Sequence, residues 1–242
     1  SPYDSGSYAS ATSYITGKAV AKAAENLKEK VIKMGASMLE VEPDEVTFNG
    51  KCVEKKDQSA KVTLPEIGVR GTFGNNDALQ VTENCGAEIS PPPYMVGIAE
   101  VEIDKETGSV ELIDYVAVVD CGTPINPNLA RVQTEGGIAQ GIGMALFEDI
   151  QYTEKGAMAN NSLMQYKIPS RLDVGKIRVE FKPSYEKSHP FGAKSIGEIV
   201  IDTPCPAIAN AVYNAVGLRV EEMPIKPEKI AMALSDDCKM YE

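Results

Sequence analysis

The order of helical runs and short alternating strands predicts an α+β fold of mixed helices and β-hairpins. Three observations carry that reading. A long amphipathic run occupies residues 12–39. Strict alternation over residues 99–104 is followed by a turn and a second strand. Further helical runs lie among the strands without a repeating strand–helix–strand order, which separates α+β from α/β chains.

In the first run, Val20, Ala24, Leu27, Val31, Met34 and Met38 recur at spacings of three and four, an apolar stripe on one helix face. Lys22, Glu25, Lys28, Glu29 and Lys33 make the wet face, Gly35 is a mild break, and Pro43 ends any continuation. Residues 46–53 turn at Asn49 and Gly50 as a small hairpin. Residues 55–61 read as a solvated loop, residues 64–67 as a short helix, and Pro91, Pro92 and Pro93 as an extended stretch. Ala99, Val101 and Ile103 face one way, with Glu100, Glu102 and Asp104 opposite. A turn over 104–108 joins them to a strand over 110–119, whose unbroken residues 116–119 suggest burial on both faces.

Residues 129–147 form the next helix, although Gly136, Gly137, Gly141 and Gly143 each cost roughly 1 kcal/mol against alanine in a helix interior. Something must gain from the missing side chains. Either another backbone or a ligand comes close, or helices pack tightly, and composition leaves both open. A strand over 176–181 follows. Thr203 then caps a helix running to Val216, and Pro227 opens a last helix through Leu234.

The balance of 24 Lys+Arg against 35 Asp+Glu, a net charge of −11, argues against nucleic acid and anionic membrane surfaces as partners. No run is apolar enough to span a bilayer, and the expected location is the cytoplasm. Cys52, Cys85, Cys121, Cys205 and Cys238 are scattered, without a CxxC pair, so buried free thiols are expected rather than a disulfide framework or metal site. The only histidine, His189, reads as a loop residue, and no protein ligand set for a metal is expected. The chain starts with Ser1 rather than Met, as a fragment or processed piece would.

Three stretches could carry chemistry. Asp4, Ser5, Gly6, Ser7, Tyr8, Ala9 and Ser10 precede the long helix, where hydroxyls and backbone N–H groups favour a bound anion. A frayed, capped terminus fits the same residues. Gln133, Glu135 and Gln140 lie among the glycines of the central helix, and a primary amide suits the edge of a heterocycle. Solvated helix polars would look alike. In FGAKSIGEIV, residues 191–200, the single carboxylate of Glu198 stands between small residues and an apolar run. Partial removal from water would raise its proton affinity towards that of a general base. A surface turn acid is the plainer alternative.

GAKSIGE, the run QTEGGIAQGIG over 133–143 and the opening DSGSYASATSYITGKAV strongly resemble the molybdenum-binding part of the xanthine dehydrogenase/aldehyde oxidase family. PAIANAVYNAVGLRV and MPIKPEKI resemble that family's C-terminal end, so the likeness covers essentially the whole chain in order. It implies one C-terminal molybdopterin-binding domain over residues 1–242, with the other half of the site elsewhere. By this resemblance Glu198 is the general base in oxidation of a purine-like N-heterocycle or an aldehyde with oxygen from water. The cofactor is a molybdenum pterin, with either a simple phosphate tail or the cytosine dinucleotide form.

Gln133 inherits the glutamine that meets the pterin, and Gly6, Ser7, Tyr8, Ala9 and Ser10 inherit the segment that holds the tail. Lys194 and Ser195 flank the base and are assigned to the cofactor through main-chain groups. Many relatives carry an arginine where this chain has Ala11, which puts the grip on the tail in doubt. The resemblance also implies partners: the N-terminal half of the molybdenum region, and [2Fe–2S] and FAD subunits or domains that carry electrons away. Alone, the chain is expected to hold no molybdenum, to be inactive, and to expose an apolar docking face. The acidic composition and YAS opening lean towards xanthine dehydrogenase. From another class, the chain would be a non-catalytic assembly module of the same fold.

Overall fold

The structure is a computed structural model, and it describes residues 3, 6–10, 12–74, 78–86, 89–189 and 191–235. Asp4, Ser5, Ala11 and Cys238 lie outside the described residues. The chain divides into two compact units: Ser1–Gly6 with Ile15–Glu88, and Ser7–Tyr14 with Ile89–Glu242.

In the first unit, helix α1 (Gly17–Met38) and helix α2 (Leu64–Phe73) accompany an antiparallel sheet ordered β1 (Val46–Phe48), β2 (Cys52–Lys55) and β3 (Lys61–Thr63). The apolar stripe of α1 divides in two. Val31 and Ala36 are buried with Val46, Val53, Val62 and Ile67, while Val20 and Leu27 stay exposed because the short sheet reaches only the later turns. Gly35 does not break α1. A Cβ there would lie 2.6 Å from the Cβ of Val53, so its bareness lets the helix settle on β2.

The hairpin at Asn49 and Gly50 forms as expected, but Lys61 opens a third strand where the sequence reads as loop. The short helix extends to Phe73. Thr63 and Glu66 form a reciprocal cap at its start, the Thr63 N–H donating to Glu66 at 2.7 Å. Residues 78–86 run back along α1, with Glu83 accepting from Lys22 (2.8 Å) and Asn26 (2.5 Å).

The second unit holds a sheet ordered β4 (Tyr94–Ile103), β5 (Val110–Asp120) and β6 (Lys176–Phe181). The β4–β5 hairpin has the expected alternation, with a register shift between Glu100 and Val101. β5 and β6 are parallel, and such neighbours require a crossover, supplied here by helix α3 (Pro127–Leu146) and the loop after it. That is a single crossover, and the α+β class stands.

β5 is buried on one face only. Leu112, Tyr115, Ala117 and Val119 are inside, whereas Val118 is 41% exposed and Val116 half-buried, because the helices cover only one side. On that side α3 and helix α5 (Pro204–Val216) pack on the sheet and on each other, with Ile138, Ile142, Ile208 and Val212 fully buried. Burial of each such side chain stabilises the fold by about 1.5–3 kcal/mol.

Helix α3 begins two residues earlier than the periodicity indicates. The Asn126 side chain accepts from the Leu129 N–H at 3.1 Å, and Pro127 takes the first turn, where no N–H is needed. Thr203 stands at the N-cap position of α5 as expected, but its side chain makes no cap hydrogen bond. It continues in helical conformation from helix α4 (Ile199–Asp202) into α5, and its Oγ1 accepts from the buried Tyr115 hydroxyl at 2.8 Å. Helix α6 (Pro227–Leu234) closes the described chain as expected. Among the described residues, Cys52, Cys85, Cys121 and Cys205 are free thiols. No helix among them is long and apolar enough to cross a membrane.

Candidate functional site

The site lies within the second unit and is built from three segments far apart in sequence. The loop that leads to Glu198 is anchored at the end of β5. The Thr123 N–H donates to the Gly192 carbonyl, and the Lys194 N–H to that of Cys121, each at 2.7 Å. Both Gly122 (φ +69°) and Gly192 (φ +73°) adopt the left-handed conformation that lets these backbones meet.

From there the chain reaches Gly197. A Cβ at this position would lie 2.9 Å from Ser10 Oγ and 3.7 Å from Gln133 Nε2. The serine-rich segment, the helix amide and the residue preceding Glu198 therefore converge on one point. Beyond it, α4 seats the fully buried Val200 against Gly137 of α3, which fixes the loop on the same helix that carries Gln133.

The glycines of α3 divide between two faces. Gly137 meets Val200, and a Cβ on Gly141 would lie 2.7 Å from Pro204 and 3.1 Å from the Ile201 carbonyl. These glycines serve tight helix packing. Gly136 has open space around it and lies on the outer face with the exposed Gln133 and Gln140. Of the explanations left open by composition, tight packing accounts for Gly137 and Gly141 and not for Gly136.

Ser7 and Tyr8 are exposed, and Ser10 is half-buried. Gly6 (φ +89°), Ala9 (φ +50°) and Ser10 (φ +53°) adopt left-handed backbone conformations. For the last two, which carry side chains, this is uncommon and tends to occur at working sites. Ser7 Oγ accepts from Thr12 Oγ1 at 2.6 Å. Glu198 itself is exposed, and no described side chain is hydrogen-bonded to it. The described residues therefore do not remove this carboxylate from water.

Lys194 is tied into the loop by both its main chain and its side chain. Its N–H is already spent on Cys121, and its ammonium donates to Asp120 at 2.8 Å while lying 5.5 Å from the Tyr94 ring centroid. Burial works to raise the Asp120 carboxyl. Hydrogen bonds from Lys194, Ser184 and the Gly122 N–H outweigh it and hold the group below the usual carboxylate range. Lys194 is a strut of the loop. Ser195 is half-buried beside it.

His189 is the residue whose place the sequence conceals. It is 1% exposed, with Nε2 2.8 Å from the Ser13 carbonyl and its ring stacked on Tyr14. A lone histidine in a loop gives no sign of burial, and its contacts come from 176 residues away.

The Ser10 hydroxyl and the Gln133 amide lie beside Gly197, and no cluster of three or more His, Cys, Asp or Glu exists among the described residues that could hold a metal ion. The chain belongs to the molybdopterin cofactor-binding domain family, whose sequence pattern matches residues 1–175.

It is 36% identical over 236 residues to a probable hypoxanthine oxidase of Escherichia coli (strain K12), covering 96% of this chain and 24% of that one. It is also 32% identical over 235 residues to the gamma subunit of the 6-hydroxypseudooxynicotine dehydrogenase complex of Paenarthrobacter nicotinovorans, covering 93% of this chain and 30% of that one. Quinoline 2-oxidoreductase from Pseudomonas putida 86 superposes with a TM-score of 0.75 at 29% identity, covering 97% of this chain and 31% of that one. A Cu,Mo-CO dehydrogenase, at TM-score 0.77 and 24% identity over 100% of this chain and 31% of that one, shares the fold. The chain therefore spans between 24% and 31% of the length of these relatives.

Proposed function

We propose that this chain forms part of the cofactor and substrate chamber of a molybdenum-dependent oxidoreductase, with Glu198 as the general base acting on a purine-like N-heterocycle or an aldehyde. The observation that carries the reading is the meeting of Ser10, Gln133 and the Gly197–Glu198 step at one point. When bound, the molybdenum–pterin group supplies the redox chemistry, accepting the two electrons given up as a C–H carbon gains an oxygen from water.

The residues of the chain do the holding. Ser7 and Ser10 present hydroxyls on a backbone bent into the left-handed region, a shape suited to a phosphate-bearing tail. Gln133 offers a donor and an acceptor on one amide, which suits a pterin edge, and Gly136 leaves the helix surface bare beside it. The heterocyclic or purine names of several relatives favour an N-heterocycle as substrate.

As an ionised carboxylate, Glu198 takes a proton as oxygen is delivered to the substrate. Such a base gains proton affinity when apolar surface covers it. Its exposure here fits a chamber completed by the N-terminal remainder of a longer molybdenum subunit, with iron–sulfur and flavin partners to remove electrons.

The test uses the full-length subunit assembled with its partners. Glu198→Gln should lower turnover about 10²- to 10⁴-fold, the usual worth of a general base, while molybdenum content stays at the wild-type level. Wild-type turnover in that variant would refute the role. A wild-type complex holding no molybdenum would refute the whole reading in favour of an assembly module.

A further inference from the structure

We infer that His189 is a positioning residue that fastens the serine-rich segment to the loop carrying Glu198. This rests on the proposed function, in which that segment holds the cofactor tail. The two stretches meet at two places. One is the contact of Ser10 with Gly197. The other is at Ser13 and Tyr14, which are gripped by Ser188 and His189.

The histidine is committed on every side. The Phe191 N–H donates to His189 Nδ1 at 3.1 Å, so Nδ1 is the bare nitrogen and Nε2 carries the proton. Nε2 then donates to the Ser13 carbonyl at 2.8 Å. The ring stacks on Tyr14 with centroids 5.5 Å apart and packs against Phe191 at 5.9 Å. Tyr14 is 5% exposed, and its hydroxyl lies 2.5 Å from Ser188 Oγ and 3.1 Å from the Ile89 carbonyl. Ser188 in turn donates to Glu186 at 2.7 Å.

One nitrogen of the ring thus closes its own loop, while the other crosses to the serine segment. No other described side chain bonds the backbone of Ser13. Loss of the crossing bond would loosen the tie between the two stretches three residues after Ser10, where the tail is to be held, while Ser13 keeps its place in the helical turn Thr12–Thr16.

Two amide substitutions separate the halves of the ring. Asn at 189 can accept from the Phe191 N–H in place of Nδ1 but is too short to reach Ser13. Gln reaches the position of Nε2 and can donate to the Ser13 carbonyl. In the full-length assembled enzyme, His189→Asn should speed hydrogen exchange at residues 7–14 and molybdenum loss on dialysis by about tenfold, the worth of one buried hydrogen bond. His189→Gln should restore both most of the way.

Unchanged exchange in His189→Asn would overturn the inference, as would equal acceleration in both variants. Faster exchange with molybdenum retained at the wild-type rate would overturn the link to the cofactor. If the unmutated enzyme holds no molybdenum, the proposed function falls first, a failure visible before any variant is made.

Discussion

The two faces of α3 use the same residue for opposite ends. On the inner face, Gly137 and Gly141 are bare because Val200, Pro204 and the Ile201 carbonyl occupy the space of a side chain. On the outer face, Gly136 is bare with nothing opposite, beside the exposed Gln133 and Gln140. A helix gains nothing intrinsic from glycine, so each absence needs its own account. For the inner face the account is packing, and the coordinates supply it. For the outer face no contact within the described residues accounts for the bareness of Gly136.

The largest effect that would test this division is at Gly137. Gly137→Val should destabilise the protein by about 3 kcal/mol, since the added atoms enter the volume of the fully buried Val200. Urea unfolding would show a lowered midpoint, and a midpoint at the wild-type value would mean that α4 does not bear on α3.

A substitution on neither face serves as a control. Lys194→Met should cost about 2 kcal/mol at neutral pH by removing a charged hydrogen bond from Asp120. The Asp120 carboxyl is held below its ordinary value, so the pair contributes fully above the unfolded carboxyl value of about 4 and fades as pH falls through the folded value. The gap in stability between wild type and variant should therefore narrow on acidification. A gap constant with pH would assign the loss to packing of the lysine stem.

The smallest effect is on the outer face. Gly136→Ala should raise stability by about 1 kcal/mol, the helix-propensity difference, because the methyl meets nothing. A lowered melting temperature would place hidden packing on that face and erase the contrast with Gly137.

Much of this arrangement was legible in the sequence. The central helix, the hairpin at 94–120 and the last two helices follow from periodicity and turn residues, and the residues quoted for the resemblance include all three segments that meet at Gly197. What periodicity cannot say is what covers a stripe. Val20 and Leu27 carry the same spacing as Val31, yet only Val31 is buried. Strand β3 escaped because Lys61, Val62 and Thr63 are too few for alternation to show against a polar background.

The partner of the Lys194 ammonium was hidden for another reason. The resemblance assigns main-chain groups of Lys194 to the cofactor and is silent on its ammonium, whose partner Asp120 lies 74 residues away in sequence. His189 illustrates the same limit. Residue type told that an imidazole was present, and only the fold told that both of its nitrogens were engaged.

The chain contains ten tyrosines and no tryptophan, so phenol optical signals are not masked by indole. Among the described residues two phenols are deeply enclosed, Tyr115 in the sheet and Tyr14 against the imidazole. Near-ultraviolet dichroism of the untouched protein is thereby weighted towards the core of the second unit and the fastening of its first segment, giving both a built-in spectroscopic reporter without any label.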